Sequence, residues 1–395
     1  MKNKAKLLSG FMLIVFFTQT IQSYSQIYAI GHKQITYTDP ARSNRSVPCE
    51  IYYPSNTAGE STPIATGQFP LIIFGHGFVM GYDAYQSYWD SIVPKGYIMV
   101  FPTTEGSIIP TPNHLTFGLD LAFAVTKMQS EGNLNTSFFY QKIALTSAIL
   151  GHSMGGKGSV IASSNNTNIT TTVSFGMSNS NSPDAIAVYA PLVTVPAIVF
   201  SGANDCVAVP VDNQVPLYNA LGSQCKTFIS VIGGSHCQFA ESNFNCNFGE
   251  TTCSPAPTIT RDEQHAIVLS LLLPYLDNML KNNVAAGILF MNRLTSSTST
   301  TYLRSCSASE SDLQYLNENK FRFNPNPVES YVELELESTE LPVQITITDI
   351  TGRKILSKKI NSSKESLNLS DLDSGSYFIS LNGKRNKATK KLIKK

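Results

Sequence analysis

The sequence predicts a two-part chain: an α/β unit built on a mostly parallel central sheet, then a small all-β sandwich. Three observations predict it. Continuous apolar runs of strand length alternate with helix-length segments up to about residue 285, the pattern of a sheet covered on both faces. Strict period-2 alternation then takes over, as in Glu333-Leu334-Glu335-Leu336-Glu337 and Val343-Gln344-Ile345-Thr346-Ile347-Thr348. The charge balance also changes sign near residue 320: 14 basic and 9 acidic residues follow from Lys320 on, against 15 and 19 before it.

The N-terminus reads as an export signal. Lys2, Lys4 and Lys6 precede the apolar run Leu7–Phe17, and Ser23-Tyr24-Ser25 offers small residues where a signal peptidase reads. Cleavage is expected after residue 25. The run is short for a membrane span, and no later segment has roughly 18 unbroken apolar residues, so no stable span is expected.

The α/β unit is expected over 26–290. Two strands fall between 27 and 55, at Ile35–Thr38 and Cys49–Tyr53. Phe69–Phe74 is a buried strand ending in Gly75-His76-Gly77-Phe78. A helix near 83–94, the strand Tyr97–Phe101, a helix near 114–130 and the strand Lys142–Leu150 follow, with a short helix after Ser153. Next come strands at Thr171–Phe175, Ala197–Ser201 and Thr227–Ile232, a helix near 211–222, and a long helix near 261–281. The polar run Ser296-Ser297-Thr298-Ser299-Thr300-Thr301 suggests a linker over 291–319. The sandwich is expected over 320–395, with further short strands at Lys354–Ile360, Ser366–Leu369, Tyr377–Leu381 and Thr389–Ile393.

Composition excludes several classes. A chain of 395 residues with 42% hydrophobic content can bury a large core and is no coiled coil, collagen or wholly disordered polymer. A net charge of +1 supplies no field for nucleic acid, which is not expected as a partner.

Three motifs carry chemistry. Gly151-His152-Ser153-Met154-Gly155 follows an apolar strand and precedes a helix, the setting in which a sharp turn lifts a serine above the sheet edge. Ser201-Gly202-Ala203-Asn204-Asp205 delivers a carboxylate just beyond a strand's carboxyl end; the alternative is a helix cap, for which Asp212 lies nearer. Gly233-Gly234-Ser235-His236 places a histidine in a loop after the next strand. A serine hydroxyl needs an adjacent base, a histidine titrates in the right range, and a carboxylate fixes its tautomer. The expected triad is therefore Ser153, His236 and Asp205. The expected oxyanion donors are the N–H groups of Met154 and Phe78, the second from the loop after the Phe69–Phe74 strand. Phe78 is also the expected substrate contact, whereas Tyr82, Tyr85 and Trp89 are expected to pack a helix face. His76 is expected to orient the oxyanion loop and His152 to pack beneath the turn. No metal or cofactor is expected.

These motifs, in this order, resemble the α/β-hydrolase superfamily over residues 27–285. His76-Gly77-Phe78 with Gly151-His152-Ser153-Met154-Gly155-Gly156 is similar to secreted lipases, cutinases and cutinase-like polyester hydrolases. The run through Lys157 also resembles chlorophyllases and dienelactone-hydrolase-like enzymes, although dienelactone hydrolases carry a cysteine where this chain has Ser153. Polyester hydrolases commonly have tryptophan at the position of His152, and the sole tryptophan here is Trp89. The resemblance implies a secreted serine esterase acting through an acyl-enzyme. The 21 residues between Phe175 and Ala197 are too few for a large cap, which suits bulky or polymeric ester substrates. The alternatives are a serine peptidase or a catalytically silent surface binding protein. In the tail, Asn324-Pro325-Asn326-Pro327, Asp349-Ile350-Thr351-Gly352, Gly375-Ser376-Tyr377-Phe378 and the Lys390–Lys395 ending resemble the C-terminal sorting domain of type IX secretion substrates. That resemblance implies delivery to the cell surface or medium, with the type IX machinery as a partner.

The seven cysteines lack the C-x2-C spacing of a zinc site, and in an exported chain they imply disulfides with at least one thiol unpaired. Cys206 and Cys237 directly follow Asp205 and His236, so both are expected in bridges bracing those loops. Cys206–Cys237 is the leading pair, with Cys246 or Cys253 able to replace either partner. Cys225 precedes the strand Thr227–Ile232, so it should lie about 20 Å away at the opposite sheet edge and is not expected to partner Cys206.

Overall fold

The structure is a computed structural model that describes residues 27–306, 321–336, 341–349, 354–382 and 387–395. The expected export signal and residues 307–319 of the expected linker lie outside the described residues. Ten strands form one sheet: β1 (Ala29–Asp39), β2 (Arg45–Ser55), β3 (Gly59–Glu60), β4 (Phe69–Gly75), β5 (Ile98–Pro102), β6 (Ile143–His152), β7 (Thr171–Phe175), β8 (Ala197–Gly202), β9 (Cys225–Val231) and β10 (Thr300–Cys306). Their order is β10-β9-β8-β7-β6-β4-β5-β2-β1-β3. From β9 to β5 every neighbouring pair is parallel, while β10 and β2 join antiparallel. Strand β4 lies between β5 and β6, so the winding reverses there. Open α/β sheets place their ligand crevice at such a reversal, outside the carboxyl ends of the strands.

Among the described residues, eight α-helices accompany the sheet: α1 (Gln86–Ile92), α2 (His114–Asn133), α3 (Met154–Asn165), α4 (Ala185–Val188), α5 (Gln214–Ala220), α6 (Phe244–Glu250), α7 (Arg261–Lys281) and α8 (Val284–Ser296). The two faces of β4 show why the sheet is apolar throughout. Ile72 and Phe74 join a cluster with Tyr85, Tyr88, Trp89 and Ile92 around α1 and with Val268, Leu271 and Leu272 of α7. Leu71 and Ile73 face the other way, into a cluster with Phe117, Leu121 and Val125 of α2. A strand buried on both faces cannot alternate apolar with polar, hence its continuous run. Among the described residues, no helix is long and apolar enough to cross a membrane.

The segment expected as a linker over 291–319 begins differently. Helix α8 buries Ala286, Phe290 and Leu294, one residue per turn, and β10 pairs with β9 from Thr300–Val231 to Cys306–Cys225. A disulfide joins Cys225 to Cys306 across this pair. The polar composition misleads because β10 is a largely exposed edge strand held chiefly by its backbone ladder to β9 rather than by apolar side chains. The α/β unit is thus expected to end at Cys306 rather than at residue 290. A chain stopped after Cys306 should keep its melting temperature. One stopped after residue 290 loses Leu294, β10 and a bridge closing 81 residues, worth roughly 4–5 kcal/mol by chain entropy. Thermal unfolding of the two truncations checks this, and equal melting temperatures would restore the boundary at 290.

The C-terminal region is all-β and antiparallel, as expected. One sheet holds β11 (Phe321–Asn324), β12 (Tyr331–Leu336) and β15 (Lys364–Asn368); the other holds β13 (Val343–Asp349), β14 (Lys354–Ile360), β16 (Gly375–Asn382) and β17 (Lys387–Lys394). Val332, Leu334 and Leu336 from the first meet Ile345, Ile347 and Ile379 from the second in one core. Glu333 and Glu335 alternate with the buried leucines and lie exposed, which is the period-2 signal of the sequence.

Candidate active site

Loops at the carboxyl ends of β4, β6, β8 and β9 converge on Ser153. It sits between β6 and α3 with φ +54° and ψ −114°, a backbone conformation that a side chain rarely adopts. Close packing holds it there. A β-carbon at Gly155 would stand 1.9 Å from the Gly75 carbonyl oxygen, so only glycine lets α3 start against the end of β4.

The three side chains expected to act together form one hydrogen-bonded chain. His236 Nε2 lies 2.9 Å from Ser153 Oγ, and His236 Nδ1 lies 2.8 Å from Asp205 Oδ2. All three are buried. The second carboxylate oxygen, Oδ1, accepts from the backbone N–H groups of Val207 and Ala208 at 3.0 and 2.7 Å. Both Asp205 oxygens are thereby committed, and Nδ1 is the histidine nitrogen that carries the proton. Gly176 passes beneath this pair at φ +48°; a β-carbon there would come within 3.2 Å of His236 Nδ1.

Backbone bonds hold Asp205 and His236 in register. Ala203 N–H donates to the Val231 carbonyl and Asn204 N–H to that of Gly234, at 2.9 and 2.8 Å. Gln264 of α7 clamps the histidine loop, accepting from Ser235 N–H and donating to the Ser235 carbonyl. The two loops therefore need no covalent link to each other, and the leading pair Cys206–Cys237 does not form. Instead Cys206 bonds Cys253 and Cys237 bonds Cys246. Each bridge ties the residue after a site member outward to the segment around α6. Cys49 is the free, buried thiol.

The two residues expected to supply oxyanion donors lie on the loops around Ser153. Met154 is the first residue of α3, so its N–H has no intrahelical acceptor. Phe78 belongs to the loop after β4, and its side chain is 39% exposed. Tyr82 is partly exposed, while Tyr85 and Trp89 are buried against the sheet, as expected of a packed face. His76 is buried with its ring nitrogens against the Gly77 and Thr104 carbonyls, which ties down the loop after β4.

A buried network beneath the turn was not legible in the sequence. His152 Nε2 lies 3.1 Å from the His236 carbonyl, and Nδ1 lies 3.0 Å from the Tyr85 hydroxyl. Burial, and then the neighbouring His236, push the His152 pKa well below its ordinary value, so the ring is neutral. Facing a carbonyl, Nε2 carries the proton. Nδ1 then accepts from the Tyr85 hydroxyl, whose oxygen accepts the Gly77 N–H at 2.8 Å. The chain Gly77–Tyr85–His152–His236 joins the loop after β4 to the backbone of His236. Tyr85 and His152 are 67 residues apart, and no spacing rule connects them. Lys157, one turn into α3, is likewise buried. Its ammonium donates to the Ser180 and Asn181 carbonyls at 2.8 and 2.7 Å, and burial lowers its pKa to about 8. It pins the loop after β7 beside the site.

A family profile described as PET hydrolase-like matches residues 29–254, a span that includes Ser153, Asp205 and His236. A second, described as a secretion system C-terminal sorting domain, matches residues 322–395. Comparison with curated proteins returned no match.

Proposed function

Because the chain belongs to the PET hydrolase-like family and carries a C-terminal secretion sorting domain, we propose that it is an exported serine hydrolase that cleaves carboxylic esters through an acyl-enzyme. The observation that carries this reading is the Asp205–His236–Ser153 hydrogen-bonded chain at the carboxyl ends of the strands. His236 Nε2 takes the Ser153 proton as Oγ attacks the ester carbonyl. Asp205 holds the imidazole tautomer and stabilises the imidazolium. The N–H groups of Phe78 and Met154 receive the oxyanion, each such donor being worth about 100- to 1000-fold in turnover. His236 then protonates the departing alkoxide. Water, deprotonated by the same ring, releases the acid and restores Ser153. The Phe78 side chain contacts the substrate beside its own N–H.

A panel of p-nitrophenyl esters from acetate to palmitate, run beside a polyester film and a peptide substrate, tests the reading. The expected result is ester turnover with stoichiometric labelling of Ser153 by a fluorophosphonate. Peptide cleavage without ester turnover would replace the esterase by a peptidase, and labelling of no serine would remove the mechanism.

A further inference from the structure

The two bridges that flank the triad lead to a short helix with an unusual surface. None of the seven residues of α6 is buried, yet it presents Phe244 at 80% exposure and Phe248 at 68%. The two rings lie on one helix face, with centroids 6.1 Å apart and planes 22° from parallel. Exposed Val207, in the loop after Asp205, extends the patch, since a β-carbon at Gly249 would stand 3.9 Å from it.

A short helix with no fully buried residue gains little from the hydrophobic effect and needs other anchors. Here they are specific. Cys237–Cys246 holds the middle of the helix and Cys206–Cys253 the segment just beyond it. Asn243 caps its first turn, Glu250 accepts the Cys237 N–H at 2.8 Å, and Arg261 donates to Asn247 at 3.1 Å. Asn245 donates to the carbonyl of Val79, the neighbour of Phe78 in the oxyanion loop, at 2.6 Å. Two phenylalanines are thus held in water, on a rigid mount directly continuous with the site. Contiguous exposed apolar surface of this kind marks an interaction site.

We propose that the stapled helix α6 is a docking pad for the apolar surface of a water-insoluble ester polymer, which it seats beside Ser153. The inference rests on the ester-hydrolase reading and extends it to the physical state of the substrate. The Asn245–Val79 bond ties the pad to the loop that holds Phe78, one residue from the expected substrate contact. Charge favours an uncharged solid over an anionic bilayer: residues 241–253 hold Glu241 and Glu250 and no lysine or arginine.

The test separates adsorption from chemistry. In the full chain carrying the inactivating Ser153→Ala substitution, adding Phe244→Gln and Phe248→Gln should lower partitioning onto an amorphous polyester film by about fivefold or more, through lost apolar contact. The same double substitution on the wild-type background should slow film hydrolysis in proportion while leaving turnover of soluble p-nitrophenyl butyrate within about twofold. Unchanged film partitioning overturns the proposal. So does a loss confined to phosphatidylcholine vesicles, which would assign the pad to lipid, or conversion of a dimer to a monomer, which would assign it to a second copy. A fall in butyrate turnover matching that on film would also overturn it, making α6 a support for the site. A chain that adsorbs to film through these residues but never hydrolyses butyrate would refute the ester-hydrolase reading and leave the adsorption result intact.

Discussion

Ser153→Ala should abolish ester turnover, lowering kcat/KM by about 10⁴- to 10⁶-fold, while the melting temperature stays close to that of the unsubstituted chain. The large kinetic effect follows from the chemistry: Oγ is the atom His236 Nε2 faces at 2.9 Å, and no other hydroxyl is hydrogen-bonded to that nitrogen among the described residues. The small thermal effect follows from the backbone. Alanine keeps the β-carbon, so the strain at φ +54° is common to both residues, and the close approach of Gly155 to Gly75 is untouched. Active-site titration with a fluorophosphonate and scanning calorimetry on the same preparations check both halves. Activity retained within about tenfold would move the nucleophile elsewhere. A collapse in melting temperature would instead make Ser153 a structural residue of the turn.

How much of this was legible in the sequence depended on the range of the interaction. The turn at Ser153, the loop holding Phe78 and the strand-end positions of Asp205 and His236 are local features. Each follows an apolar strand and is marked by glycine within a few residues, so a linear reading finds them. The long helix α7 was legible for the same reason, from Arg261 to Lys281. What escaped was contact between segments distant in sequence. Tyr85 and His152 meet only because β4 and β6 are neighbours in the sheet. The bridges from Cys206 and Cys237 run outward to Cys253 and Cys246 because backbone bonds between the loops after β8 and β9 already hold them together. Proximity of Asp205 to His236 was a sound inference; the orientation of the next side chains was not contained in it. Strand β10 was misread for another reason: at an exposed edge its Thr, Tyr and Arg side chains carry no apolar alternation, and its pairing resides in backbone groups.

Asp205→Asn should cost about 10⁴-fold in kcat at neutral pH, the magnitude seen when the same exchange is made in a Ser-His-Asp protease, and should cost little stability. The reason lies in how the two carboxylate oxygens are used. Oδ1 accepts from two backbone N–H groups, Val207 and Ala208, whereas among the described residues Oδ2 accepts only from His236 Nδ1. An asparagine can preserve the first pair of bonds only by placing its carbonyl oxygen at the Oδ1 position. Its NH2 group must then face His236. A flipped amide would press two donors against two donors in a buried site, at a cost of about 1–3 kcal/mol for each unsatisfied group. The histidine answers the NH2 by giving up its Nδ1 proton and carrying it on Nε2. That proton then points at Ser153 Oγ, where a base is required, and the serine can no longer be deprotonated. Asp205→Ala should separate the two duties of the residue: it removes the acceptor for Val207 and Ala208 as well, and should lower the melting temperature more than Asp205→Asn does. Steady-state kinetics and thermal unfolding of both variants give the comparison. If Asp205→Asn retained activity within about tenfold while Asp205→Ala unfolded early, Asp205 would be a cap for its own loop and the imidazole would have to be oriented by another group.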